Sequence, residues 1–262
     1  MSEHREKSGH SSAPVTPEPP SPYAQMLDMT YTALVNARAI FAATKLGIPD
    51  RLKDATCASN DIAHATGTDP DALYRLLRTL ANAGILTESA NHRFALTSLG
   101  ATLRSDAPGS MCAWVLFSGE SFYLQAWQEI LHSIRTGTPA WNKVHGTSFF
   151  DFLRPHPEEA ALFDQAMTSL SGGEAPAIVA AYDFSTLQTL VDVGGGQGTL
   201  LLTILEANPQ LRGILYDQPQ VVAGARQQIT AKGLAERCEI VAGDFFESNV
   251  GWIPGPTAKR HS

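Results

Sequence analysis

The stretch TLQTLVDVGGGQGTLLLTILEANP, Thr186 to Pro209, constrains the fold more than any other part of the chain. A strand-like run reaches Asp192, three consecutive glycines follow at Gly194–Gly196, and apolar residues then return with helical spacing. Glycines between a strand and a helix let the backbone turn sharply and approach a ligand closely. Two more short runs, RGILYD and CEIVAGD, are each closed by an acidic residue, and TLLLTILEAN and VVAGARQQITAKGL supply helices between the strands. Strand, helix, strand, helix, strand implies a parallel sheet with right-handed crossovers. Ligands of such sheets bind beyond the carboxyl ends of the strands, which is where Asp192 to Gly198 fall. The spacing excludes a dinucleotide fingerprint. Counted from Gly194 and Gly196, G-x-G-x-x-G needs a third glycine where Thr199 stands, and counted from Gly195 it fails at Gln197.

Upstream, the pattern is helical. YAQMLDMTYTALVNARAIFAATKLGIPDRL carries apolar residues three and four apart, and Gly47 with Pro49 is expected to end this first long helix. ASNDIAHATGTDPDALYRLLRTLANAGILTES reads as two short helices, the first beginning at Asp61 and the second capped by Asp69 with Pro70 at its first position. Strands Ile85–Leu86 and Arg93–Leu96 follow around a polar turn. Helix, helix, helix, hairpin is the winged-helix arrangement, which often reads DNA. A DNA reader needs basic residues on its recognition helix. Here DALYRLLRTLANAG offers Arg75 and Arg78 in a chain of formal net charge −7, so nucleic acid is not an expected partner and a packing or dimerisation role is. Between Pro108 and Tyr182 lie further helices rich in aromatic residues, most of them expected in the core.

Here the resemblance becomes specific. Asp192, Gly194, Gly196 and Gly198 form D-x-G-x-G-x-G, which resembles motif I of the class I S-adenosylmethionine-dependent methyltransferases. LYDQP places Asp217 about 20 residues after the loop, where an acid can accept hydrogen bonds from both ribose hydroxyls. AGDFFE is similar to the family's G-D-F-F segment, and by position Asp244 and Phe245 would flank the adenine. LGIPDRL, ALYRLLRTLANAGIL and RFALTSLGATLRSD resemble the dimerisation domain of the plant-type and bacterial small-molecule O-methyltransferases (caffeic acid, hydroxyindole and polyketide-tailoring enzymes). FFDFLRPHPEEAALFDQAM resembles their linker helices, in which Phe163 and Met167 would lie near cofactor and substrate. The resemblance implies methyl transfer from S-adenosylmethionine to a hydroxyl of an aromatic or polyketide-like small molecule, by a homodimer. It implies a mainly α N-terminal winged-helix dimerisation domain plus an α/β Rossmann-like methyltransferase domain, incomplete, with its first three strands only.

The expected organisation is a disordered tail at 1–22, a winged-helix dimerisation domain at 23–106, a helical linker and substrate region at 107–185, a partial S-adenosylmethionine-binding domain at 186–250 and an aberrant tail at 251–262. The cofactor-binding residues are Asp192, Gly194, Gly196, Asp217, Asp244 and Phe245, with Phe163 and Met167 in the substrate pocket and no metal. The family carries a histidine base in an L-H-D-W-like segment beyond the acid of G-D-F-F, whereas this chain continues NVGWIPGPTAKRHS, so no catalytic residue is assigned and a C-terminally truncated chain is expected. The alternative is an inactive homologue that retains dimerisation and weak cofactor binding. The sequence has no bilayer-length apolar run and no apolar signal core, and Cys57, Cys112 and Cys238 are too few and too scattered for a disulfide framework or a zinc site. A cytoplasmic protein without a membrane partner is expected.

Overall fold

The computed structural model describes residues 19–244. The expected site residue Phe245 and the tail 251–262 lie outside the described residues, as do residues 1–18.

The described residues begin with one helical rod. Helix α1 (Pro22–Leu27) passes through a π-helical turn (Asp28–Thr32) into α2 (Ala33–Lys45). Gly47 stops it by adopting a left-handed φ of 66°. Pro49 does not act as the second breaker the sequence suggests. It sits in the first turn of a short helix, α3 (Ile48–Arg51), where its missing N–H costs nothing.

A two-residue strand, β1 (Cys57–Ala58), precedes α4 (Ser59–Thr66). Because β1 pairs with β3, α4 starts immediately after it at Ser59, and Asp61 lies in the first turn rather than at the start. Helix α5 (Pro70–Asn82) begins as expected: the Asp69 carboxylate accepts from the Ala72 N–H at 2.8 Å. Leu73, Leu77 and Leu80, spaced four and three apart, form its buried stripe.

The hairpin consists of β2 (Leu86–Ser89) and β3 (Arg93–Leu96), and the sheet order is β1-β3-β2. Strand β2 takes in Glu88 and Ser89, which sequence alone assigns to the turn. Glu88 stands opposite Phe94 and accepts from the Tyr74 hydroxyl at 3.0 Å, which gives an otherwise turn-like residue a reason to extend. Helix α6 (Ser98–Ala101) closes the unit, capped by the Thr97 hydroxyl, which accepts from Gly100 N–H.

Helices α7 (Cys112–Gly119), α8 (Ser121–Gln128), α9 (Ile130–Thr136), α10 (Ala140–His145) and α11 (Phe149–Leu153) follow, then the long α12 (Pro157–Ala181). The aromatic residues of this region pack chiefly on one another. Phe117 lies between Tyr123 and Phe163 at centroid distances of 4.6 and 5.6 Å, and Trp141 meets Phe149 at 4.8 Å.

The last unit is a parallel sheet of order β4-β5-β6, from β4 (Thr189–Val193), β5 (Arg212–Asp217) and β6 (Cys238–Ala242). Helix α13 (Thr199–Ala207) crosses between the first two strands. The helix expected over VVAGARQQITAKGL divides into α14 (Pro219–Val222) and α15 (Ala225–Ala231). Gln197 lies at the break. Its Nε2 donates to the Val221 carbonyl at 2.8 Å, and a Cβ on Gly224 would come within 2.4 Å of its Oε1. Leu201, Leu202, Leu205 and Leu215 are fully buried between helix and sheet. Among the described residues, no helix is long and apolar enough to cross a membrane.

Candidate functional site

The glycine loop lies at the carboxyl end of β4, as its sequence implies. Gly194, Gly196 and Gly198 all have left-handed φ, of 72°, 60° and 80°, a region most side chains avoid. Gly195 is required for space instead. A Cβ there would lie 2.5 Å from Leu215 Cδ1 and 2.6 Å from the Asp192 carboxylate.

Strand-end backbone and carboxylates hold the loop. Gly194 N–H donates to the Tyr216 carbonyl at 2.8 Å, and Gly196 N–H donates to Asp217 Oδ2 at 2.8 Å. The other oxygen of Asp217 accepts from Gln218 N–H at 2.7 Å. Each carboxylate oxygen has a second lone pair, so Asp217 can hold the loop and still receive ligand hydroxyls. Asp192 differs. Its Oδ2 is buried and finds no hydrogen-bond partner among the described residues. Burial above all, and then the charge of Asp217, push its carboxyl above the ordinary carboxylate range, while the Leu201 backbone N–H acts in the opposite sense.

Of the residues singled out from sequence, Asp192, Gly194, Gly196 and Asp217 come together here. Asp244 lies just past the end of β6, whose Ala242 is in register with Asp217. Phe163 belongs to the aromatic cluster, 5.0 Å from Phe149, and Met167 lies half-buried one turn further along α12. Neither lines the cleft beside the loop.

That cleft, of about 680 Å³, separates α12 and the N-terminal end of α7 from the start of α13. Its walls include Ser110, Asp164, Thr168, Gly172, Gln197 and Thr199. Two of these functional candidates were not evident from the loop motif. Asp164, Thr168 and Gly172 are four residues apart, so they share one face of α12, turned away from Phe163. That spacing is the signal that could have found Asp164. Gln197 had no such signal, because its partners Val221 and Gly224 lie across a strand and a turn. The Asp164 carboxyl is pushed up by burial first and by Asp217 second.

The histidines beside the aromatic cluster are engaged elsewhere. His145 Nε2 lies 2.9 Å from the Phe122 carbonyl and its ring 4.1 Å from that of Trp141, while His156 stacks on Phe152. The site offers a glycine cradle, a carboxylate with free lone pairs and a buried carboxylate oxygen without a partner among the described residues. These features fit a nucleoside cofactor.

Two family models match the chain: an O-methyltransferase dimerisation domain over residues 30–106 and an O-methyltransferase domain over residues 127–255. The phenazine O-methyltransferase PhzM of Lysobacter antibioticus is 40% identical over 225 residues, covering 86% of this chain. The chain spans 66% of that relative's length. Among solved structures, that of LaPhzM superposes with a TM-score of 0.78 at 40% identity, over 86% of this chain and 67% of the other. CalO1, a methyltransferase in calicheamicin biosynthesis solved in its SAH-bound form, superposes with a TM-score of 0.71 at 36% identity, over 85% and 65% of the two chains.

Proposed function

The chain belongs to the O-methyltransferase family, and from that premise we propose that it binds S-adenosylmethionine at the glycine loop and directs methyl transfer to a hydroxyl of an aromatic or polyketide-like small molecule. The observation that carries this reading is the loop itself: three left-handed glycines, the middle one held by Asp217 through its N–H, beside an Asp192 Oδ2 that has no partner among the described residues.

The residues divide the work. Gly194 and Gly196 let a ligand approach the backbone, and Asp217 receives the ribose hydroxyls while keeping the loop in place through Gly196 N–H. Asp244 and Phe245 are assigned to the adenine. Phe163 and Met167 are assigned to the border of the acceptor pocket, where the aromatic cluster gives a flat ring an apolar wall. Bound there, S-adenosylmethionine supplies an already activated methyl group, so the protein's task is mainly alignment and exclusion of water. The relatives are enzymes, which favours an active transferase over an inactive homologue.

The dimerisation match supports a homodimer. Tyr23, Met26, Met29, Tyr31 and Leu34 leave large apolar side chains exposed along the first helical rod, a surface suited to a second copy. Calorimetry with S-adenosylhomocysteine tests the cofactor reading directly. Saturable binding, weakened at least about tenfold by Asp217→Ala, is expected. Absence of binding to the unmodified chain refutes it. A methyl-transfer assay with phenolic acceptors then tests the reaction.

A further inference from the structure

Among the described residues, Asp164 is the only charged one lining the cleft beside the glycine loop; the remainder of that lining consists of small apolar groups, hydroxyls, carboxamides and the Cys112 thiol. Its carboxylate has no hydrogen bond and no ion pair among the described residues. A half-buried carboxylate with free lone pairs and no counter-ion favours a cationic donor. The opposite wall is formed by Gln197 and Thr199, at the entry to α13, so an occupant touching Asp164 also borders the loop. Asp217, assigned above to a diol, is close enough for its charge to bear on Asp164. An occupant of the cleft therefore lies between Asp164 and the loop that Asp217 holds through Gly196 N–H.

S-adenosylmethionine carries two cations, and they differ in chemistry. The sulfonium sulfur is bonded to three carbons and has no N–H to give. The α-ammonium of its amino-acid end has three donors. A carboxylate with unfilled lone pairs is matched by donors, not by charge alone. We propose that Asp164 binds the α-ammonium group at the amino-acid end of the cofactor, and that it is thereby a specificity residue for ligands retaining that end. The proposal rests on the cofactor reading above and adds a residue that the glycine motif does not contain.

The test is calorimetry on the full chain and on Asp164→Asn, with three probes: S-adenosylmethionine, S-adenosylhomocysteine and 5′-methylthioadenosine. The first two carry the amino-acid end; the third has the same nucleoside without it. The substitution should weaken the first two equally, by about tenfold, and leave methylthioadenosine unchanged. Unchanged nucleoside binding also shows that the variant has folded. Loss confined to S-adenosylmethionine would place Asp164 on the sulfonium and overturn the assignment. Equal loss for all three probes, or no loss for any, would overturn it as well. If the unmodified chain binds none of the three, the cofactor reading fails and the Asp164 assignment falls with it; binding of all three without any effect of the substitution sinks the assignment alone.

Discussion

Two helix N-termini in this chain are satisfied in opposite ways. Helix α5 is closed by its own neighbours: Asp69 directly precedes it, accepts from Ala72 N–H and hands over to Pro70. Helix α13 has Gly198 at its cap position and no side-chain cap. The carboxylates near its entry, Asp192 and Asp217, come instead from the ends of strands β4 and β5. The first arrangement satisfies the Ala72 N–H from the residue that directly precedes the helix. The second leaves Asp192 Oδ2 buried without a partner among the described residues. A folded chain tolerates such a group chiefly where a ligand or a mechanism uses it. The contrast separates a unit built to hold its shape from one that gives up some stability to keep a surface ready.

The largest expected effect that would break this contrast is at Gly195. A methyl group there meets the side chain of Leu215, which is fully buried and must shift within packed surroundings, and the Asp192 carboxylate. Gly195→Ala should cost about 1–3 kcal/mol by overpacking. It should also displace the loop enough to weaken S-adenosylhomocysteine by about tenfold or more. Urea unfolding and calorimetry read the two effects. Unchanged binding would mean that the loop is not the cradle assigned to it.

Asp69→Ala should lower stability by about 1 kcal/mol through loss of a local cap, and leave cofactor affinity untouched. Thermal unfolding measures the first, calorimetry the second. A drop in affinity would show that the N-terminal unit and the loop are coupled, and that their division is less clean than the two caps suggest.

Legibility from sequence follows the same division. The Asp69 cap, the stripe Leu73–Leu77–Leu80, the three strand segments and the D-x-G-x-G-x-G loop are all readable, because each depends on residues within a few positions of one another, and the helices between the strands make their pairing parallel. Interactions between distant segments are not readable. Gln197 divides the expected helix after β5 only because the loop and that helix meet in space. Glu88 joins β2 because Tyr74, on α5, supplies its hydroxyl. Asp164 is not marked by its neighbour Phe163, because one residue along a helix turns the side chain through about 100°, from the aromatic cluster into the cleft. The resemblance identified what the loop binds in the family, but the orphaned oxygen of Asp192 is a property of packing that no motif records.

That oxygen gives the smallest and most specific prediction. The Asp192 carboxyl is raised above its unfolded value, first by burial and then by the charge of Asp217. A raised carboxyl binds its proton more tightly in the folded state, so its contribution to stability is fully present below the unfolded carboxylate value of about 3.9 and is lost as pH rises through the higher folded value. The native chain therefore carries a cost at neutral pH that it does not carry in mild acid. Asp192→Asn removes the titration while keeping the shape. Its stability relative to the native chain should improve as pH rises from about 4 towards neutral. The measurement is the difference in unfolding free energy between the two chains across that range, not the absolute value at one pH, since the amide of Asn brings its own unsatisfied donor. A difference that stays flat would mean that Asp192 is solvated or paired in solution, and the contrast between the two helix entries would lose its energetic basis.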